Sequence, residues 1–144
     1  MRNSNFEFKI DPAAHCFFVR HKGVLDKEII IAGNTALAQH ADYDGSMNRL
    51  INVSDCHIDL TVSEVRELSE LVESRSDLKA SFKGAYVVGD KLGFGLARVF
   101  EAITAVPSGQ YRIFNTGHDN LSGEMKDWLE LGQDYKFPGF LNIS

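Results

Sequence analysis

Arg49-Leu-Ile-Asn-Val-Ser-Asp-Cys-His-Ile-Asp-Leu-Thr-Val-Ser-Glu-Val-Arg-Glu-Leu-Ser-Glu-Leu-Val72 is the stretch that decides the fold. Its opening, Leu50-Ile-Asn-Val53, is a short apolar run of the kind that forms a buried strand. Further on, Thr61-Val-Ser-Glu64 matches a capping box, in which a Thr hydroxyl and a Glu carboxylate satisfy free backbone N–H groups reciprocally. Val62, Val65, Leu68, Leu71 and Val72 then share one helical face, and Glu64, Glu67, Glu70 and Glu73 fall largely on the wet side. The stretch therefore reads as a strand, a polar crossover loop and an amphipathic helix. It places Asp55, His57, Asp59, Thr61 and Ser63 at the carboxyl end of a strand, where open α/β sheets build ligand and switch sites.

Working outward, Phe6-Glu-Phe-Lys-Ile10 alternates as a half-exposed strand, Asp11-Pro12 breaks it, and His15-Cys-Phe-Phe-Val-Arg-His21 is a second strand ended by Gly23. The short gap predicts a hairpin. Asp26 is a good N-cap for a helix from about Lys27 to His40. After the stretch quoted above, Ala85-Tyr-Val-Val88 is a short buried strand. Leu92, Leu96, Val99, Phe100 and Ile103 have helical spacing, and Gln110-Tyr-Arg-Ile-Phe114 alternates as a strand. A last helix spans Ser122 to Leu131 with Met125, Trp128 and Leu129 inward and Gly132 as its C-terminal cap. The order β-β-α-β-α-β-α-β-α predicts a single α/β domain with a mixed, mainly parallel sheet.

Composition narrows the function classes. A chain of 144 residues with 44% hydrophobic and 24% charged residues fits one globular domain, and no apolar run approaches the ~18 residues that span a bilayer. Met1-Arg-Asn-Ser-Asn-Phe-Glu lacks the apolar stretch of a signal peptide, so a cytoplasmic location is expected. A net charge of −5 with scattered Lys and Arg argues against nucleic-acid binding. Cys16 and Cys56 have neither zinc-site nor disulfide-framework spacing.

The run Leu50-Ile-Asn-Val-Ser-Asp55 leading into Thr61-Val-Ser-Glu-Val65 resembles a STAS-type domain, the family that includes bacterial anti-sigma-factor antagonists. A branch of small bacterial proteins is similar in three further places: Val19-Arg-His-Lys-Gly23, Tyr86-Val-Val-Gly-Asp90, and Ile113-Phe114 followed by the Trp128-Leu129 helix. The likeness covers roughly residues 5–131. It implies a STAS architecture and a non-enzymatic regulatory or protein-interaction module. In phosphorylated antagonists an Asp-Ser-Ser-Gly-like turn carries the switch Ser. Asp59, Leu60, Thr61 and Val62 match that turn, with Asp59 retained, Ser and Gly absent, Thr61 the nearest hydroxyl and Ser63 the second. A lipid-transfer fold is related to this branch, and the alternative is a carrier of a small apolar or lipid-like ligand with a cavity near Phe94, Leu96 and Phe100. Contact with a membrane periphery stays open on that reading.

Each signal has a plainer counterpart. A phosphate on Thr61 would sit at a favourable helix N-terminus, yet the capping box already accounts for Thr61 and Glu64. Asp55, His57 and Asp59 suggest acid–base or metal chemistry, or solvated loop polars. Gly89-Asp-Lys-Leu-Gly-Phe-Gly95 is neither a dinucleotide fingerprint nor a Walker loop, and no G-x-S-x-G or H-E-x-x-H motif occurs, so no catalytic group, metal or cofactor is expected. Tyr135, Phe137, Phe140, Leu141 and Ile143 form an apolar tail that folds back on the domain or clasps a second copy as a homodimer.

Overall fold

The break at Asp11-Pro12 folds the first two strands onto each other. β1 (Phe6–Asp11) pairs antiparallel with β2 (Cys16–Asp26), from Phe6 opposite His21 to Asp11 opposite Cys16. At the turn the His15 N–H donates to the Pro12 carbonyl at 3.1 Å, and His15 takes a left-handed φ of 51°. β3 (Asn48–Asp59), β4 (Phe82–Val88) and β5 (Gly109–Asn115) follow, each parallel to the strand before it, in the spatial order β1-β2-β3-β4-β5. The chain is thus α/β, and its described residues form a five-stranded mixed sheet and three helices: α1 (Lys27–Ala38), α2 (Val62–Glu73) and α3 (Leu121–Trp128). A 3₁₀ turn spans Gly139–Leu141. This computed structural model describes residues 6–73, 82–89 and 109–143. The helix expected around Leu92–Ile103 lies outside them, as do the candidate cavity residues Phe94, Leu96 and Phe100.

Side chains alternate across β2 and so divide the core into two faces. Phe17 and Val19 point to one face, where Ile10, Leu37 of α1 and Met47 join them. Cys16 and Phe18 point to the other, where Leu50, Ala85, Val87 and Phe114 meet Met125 and Leu129 around α3. The apolar tail closes this second face. Leu141 is fully buried in it, while Tyr135 and Phe137 pack on Phe18 with ring centroids 5.7 and 5.9 Å away. Backbone carbonyls of the tail are held by the sheet: Asn52 Nδ2 donates to Leu141 O at 2.9 Å, and Arg20 Nη1 donates to Phe140 O at 2.9 Å. Tyr135 Oη donates to Asp11 Oδ2 at 2.6 Å, which lowers the Asp11 pKa; burial, and after it this bond, raises that of Tyr135. The tail therefore folds back on its own domain.

Arg49 is buried, with no carboxylate partner among the described residues. Its guanidinium lies 3.7 Å from the Phe82 ring centroid and 4.7 Å from that of Phe17, and it donates to the carbonyls of Gly45 and Met47. Aromatic faces and carbonyl dipoles supply the negative potential that water would otherwise give.

Three expectations need correction. α1 ends at Ala38, short of His40, because Gln39 closes it with N–H bonds to Leu37 O and Thr35 O. The last helix starts at Leu121, one residue early, and stops at Trp128. Its reversal is made by Glu130 at φ 63°, not by Gly132, since Leu131 turns inward and its N–H bonds to Lys126 O at 2.7 Å. The third correction matters most for the site. β2 does not stop at Gly23, and β3 does not end at Val53: both run on, paired, to Asp26 and Asp59. Positions 55–59 are therefore strand and not loop.

Candidate functional site

The paired extension carries a register shift. Arg20 lies opposite Asn52, but the next pair is Lys22 with Asp55, so β3 spends one more residue than β2 between them. This is a β-bulge, and one extra residue reverses which face each later side chain takes. Before it, Leu50 and Asn52 face the tail side. After it, Cys56 and Ile58 face the opposite side, packed with Leu25, Val53, Ile29 and Ile30. Asp55, His57 and Asp59 are left exposed together on the tail side of the ribbon, opposite Lys22, Val24 and Asp26. Arg20 reaches across this face to pair with Asp55.

The ribbon ends where two helices begin. Asp26 caps α1, its Oδ1 accepting from the Ile29 N–H at 2.9 Å. Beyond Asp59, Thr61 caps α2 in the expected box: Thr61 Oγ1 accepts from the Glu64 N–H at 3.1 Å, and Glu64 Oε1 accepts from the Thr61 N–H at 3.0 Å. Lys27 and Glu67 join the two helices by an ion pair at 3.1 Å. Thr61, Val62 and Ser63 stand exposed at this tip, with Val62 67% accessible. Replacement of Thr61 by Ala is expected to remove about 1 kcal/mol of stability, read as a lower urea midpoint at unchanged slope.

The five residues Asp55, His57, Asp59, Thr61 and Ser63 thus share one edge of the molecule, but the first three form a row and not a converging cluster. Successive members of the row are two strand residues, or ~6.6 Å, apart along the backbone. Among the described residues no three His, Cys, Asp or Glu side chains lie close enough to hold a metal ion. Nor does Cys56 offer a nucleophile there. Burial, and secondarily the Asp55 charge, push its thiol up to about 12; burial does the same at Cys16. The row is equipped for charge recognition and hydrogen bonding.

A second site escapes sequence reading. A cleft of about 310 Å³ opens beside the β3 bulge and the carboxyl ends of β4 and β5, lined by Asn52, Ser54, Thr116, Asn120, Ser122 and Asn142, with His118 at one side. It is assembled from four separate segments, so no motif announces it. Comparisons of the chain with protein-family models, with curated proteins and with solved structures gave no match. Among the described residues, no helix is long and apolar enough to cross a membrane.

Proposed function

We propose that this chain is a non-enzymatic regulatory or protein-interaction module of the STAS type, which engages a protein partner through the tip formed by the β2–β3 ribbon and the start of α2. The observation that carries the reading is the position of the segment resembling the antagonist switch. Asp59, Thr61 and Ser63 are all exposed where β3 passes into α2. A partner that docks there meets the acidic row, the apolar side chains of Val24 and Val62, and the hydroxyls at the helix start. The strand sequence β1 to β5, with the opening hairpin antiparallel, further supports a STAS-like architecture. A phosphoryl group on Thr61 would displace the Glu64 carboxylate from the cap by charge repulsion, while the free N–H groups of the helix start favour the new anion. That exchange would rearrange the docking surface without disturbing the sheet.

The test is affinity capture from the native extract with wild-type protein, an Asp59→Ala/Thr61→Ala variant, and an Arg112→Ala control on β5. At least one protein is expected to be captured by the wild type and the control and lost from the double variant, with all three folded by circular dichroism. Identical captures by all three would refute the reading.

A further inference from the structure

The cleft beside the β3 bulge and the ends of β4 and β5 lies apart from the tip, and its chemistry points in another direction. Ser54, Thr116, Asn120, Ser122 and Asn142 line it, and among the described residues their side chains form no hydrogen bond within the protein. Each hydroxyl or carboxamide both donates and accepts. Among the described residues the lining contains no Lys, Arg, Asp or Glu. Among the described lining residues His118 is the single ionisable side chain, and its Nε2 is turned to Glu124 Oε1 at 3.3 Å. Val87, Leu121 and Ile143 add apolar surface between the polar groups.

From this lining we infer that the cleft binds a small, uncharged, polyhydroxylated ring, a monosaccharide or a cyclitol. An ion would give up its hydration without meeting an opposite charge among the described lining residues, and that desolvation costs more than for a neutral ligand. A sugar hydroxyl donates and accepts as the lining groups do, and the ring's C–H face matches the apolar surface between them. The volume lies at the lower end of the ~300–1,000 Å³ usual for small-molecule sites, which suits one ring.

The walls are built before any ligand arrives. Asn52 is spent on them: its Oδ1 accepts from the Ser54 N–H at 2.9 Å and its Nδ2 donates to Leu141 O, so it ties the cleft's strand wall to its tail wall. On the other side the Thr116 N–H bonds to Val88 O at 2.9 Å, and Asn115 Oδ1 accepts from the Gly117 N–H at 2.8 Å. Gly89 keeps β4 close to β3, because a Cβ there would lie 3.0 Å from the Ser54 carbonyl oxygen. Preorganisation of this kind spares the ligand the cost of ordering the site.

The experiment is a set of ¹⁵N NMR titrations of the full chain with glucose, galactose, mannose and myo-inositol, and with inorganic phosphate and ethanolamine as charged probes. At least one of the four neutral probes is expected to shift the Ser54, Thr116, Asn120, Ser122 and Asn142 signals saturably at millimolar concentration. A Ser54→Ala/Thr116→Val variant is expected to weaken that binding at least tenfold, and Ser122→Gln, which fills the cleft from α3, is expected to abolish it. Because the two variants alter different segments, a folding failure of one leaves the other decisive. Saturable shifts with phosphate or ethanolamine alone, no saturable shifts with any probe, or unchanged affinity in a folded variant would each overturn the assignment. These outcomes do not depend on whether a protein docks at the α2 tip.

Discussion

Replacement of Leu141 by Ala is expected to cost about 2–5 kcal/mol, among the largest single-residue effects in this chain. Leu141 is wholly buried at the centre of a cluster that draws on β2, β3, β4, β5, α3 and the tail itself. Truncation removes the transfer energy of the side chain and also leaves a cavity, since the sheet beneath it cannot collapse into the space. Local fastening makes relaxation harder still: the carbonyls of Phe140 and Leu141 are tied to Arg20 and Asn52, and Tyr135 to Asp11. Urea unfolding of the two proteins measures the difference. A loss below about 1 kcal/mol would mean that the tail is not seated on the sheet in solution. Val62→Ala, at a position 67% exposed, is the contrasting case and should stay within about 0.5 kcal/mol of the parent.

His21 should make the protein lose stability on acidification, at pH values where most surface groups have little effect. Burial against the α1 side of β2 pushes its pKa down from 6.5 to about 4, and its Nδ1 has no hydrogen-bond partner among the described residues. The Phe6 ring covers it, 4.9 Å away between centroids. The sign follows from proton uptake. In the folded state the imidazole stays neutral until about pH 4, whereas in the unfolded chain it takes up a proton near pH 6.5. Protons therefore favour the unfolded chain throughout that window. The contribution of neutral His21 is full above pH 6.5, falls as the pH drops, and has lost on the order of 3 kcal/mol by pH 4. Carboxylates titrate near the lower end of the same range, so the informative quantity is the difference between the wild type and His21→Leu. That difference should grow as pH falls from 6.5 to 4 and level off below. Parallel profiles would show that the buried imidazole is not what the proton attacks.

Much of the fold was legible because it depends on local chemistry. Thr61 and Glu64 form the reciprocal cap that their spacing announces, Asp26 caps α1, and Asp11-Pro12 turns the first hairpin. The amphipathic run from Val62 places Val65 and Leu68 inward as its period requires. The length of β3 was not legible, and the reason is specific. Ser54-Asp-Cys-His interrupts the apolar run with polar residues, and the bulge then inverts the alternation, so the second half of the strand looks like a loop to any reading that carries one parity through. In β2, Gly23 signals a stop, yet it lies within the strand at φ 81° on an exposed edge of the ribbon. The cleft was invisible for another reason. Its hydroxyls and amides come from residues scattered between positions 52 and 142, and only the folded sheet brings them together.

The inserted residue in β3 also separates two kinds of selection. Up to Val53 the strand belongs to the interior, and a substitution there is judged by packing. Past the bulge, Cys56 and Ile58 keep the ribbon attached and Asp55 neutralises Arg20, while His57 and Asp59 answer to whatever meets them from outside. A lineage can therefore rewrite those last two positions, changing charge, size or partner, at little cost to the scaffold. Loss of the single inserted residue would do the opposite, turning the carboxylates toward Ile29 and Ile30 and the thiol toward water. The face is free to drift in composition only so long as the strand keeps its count.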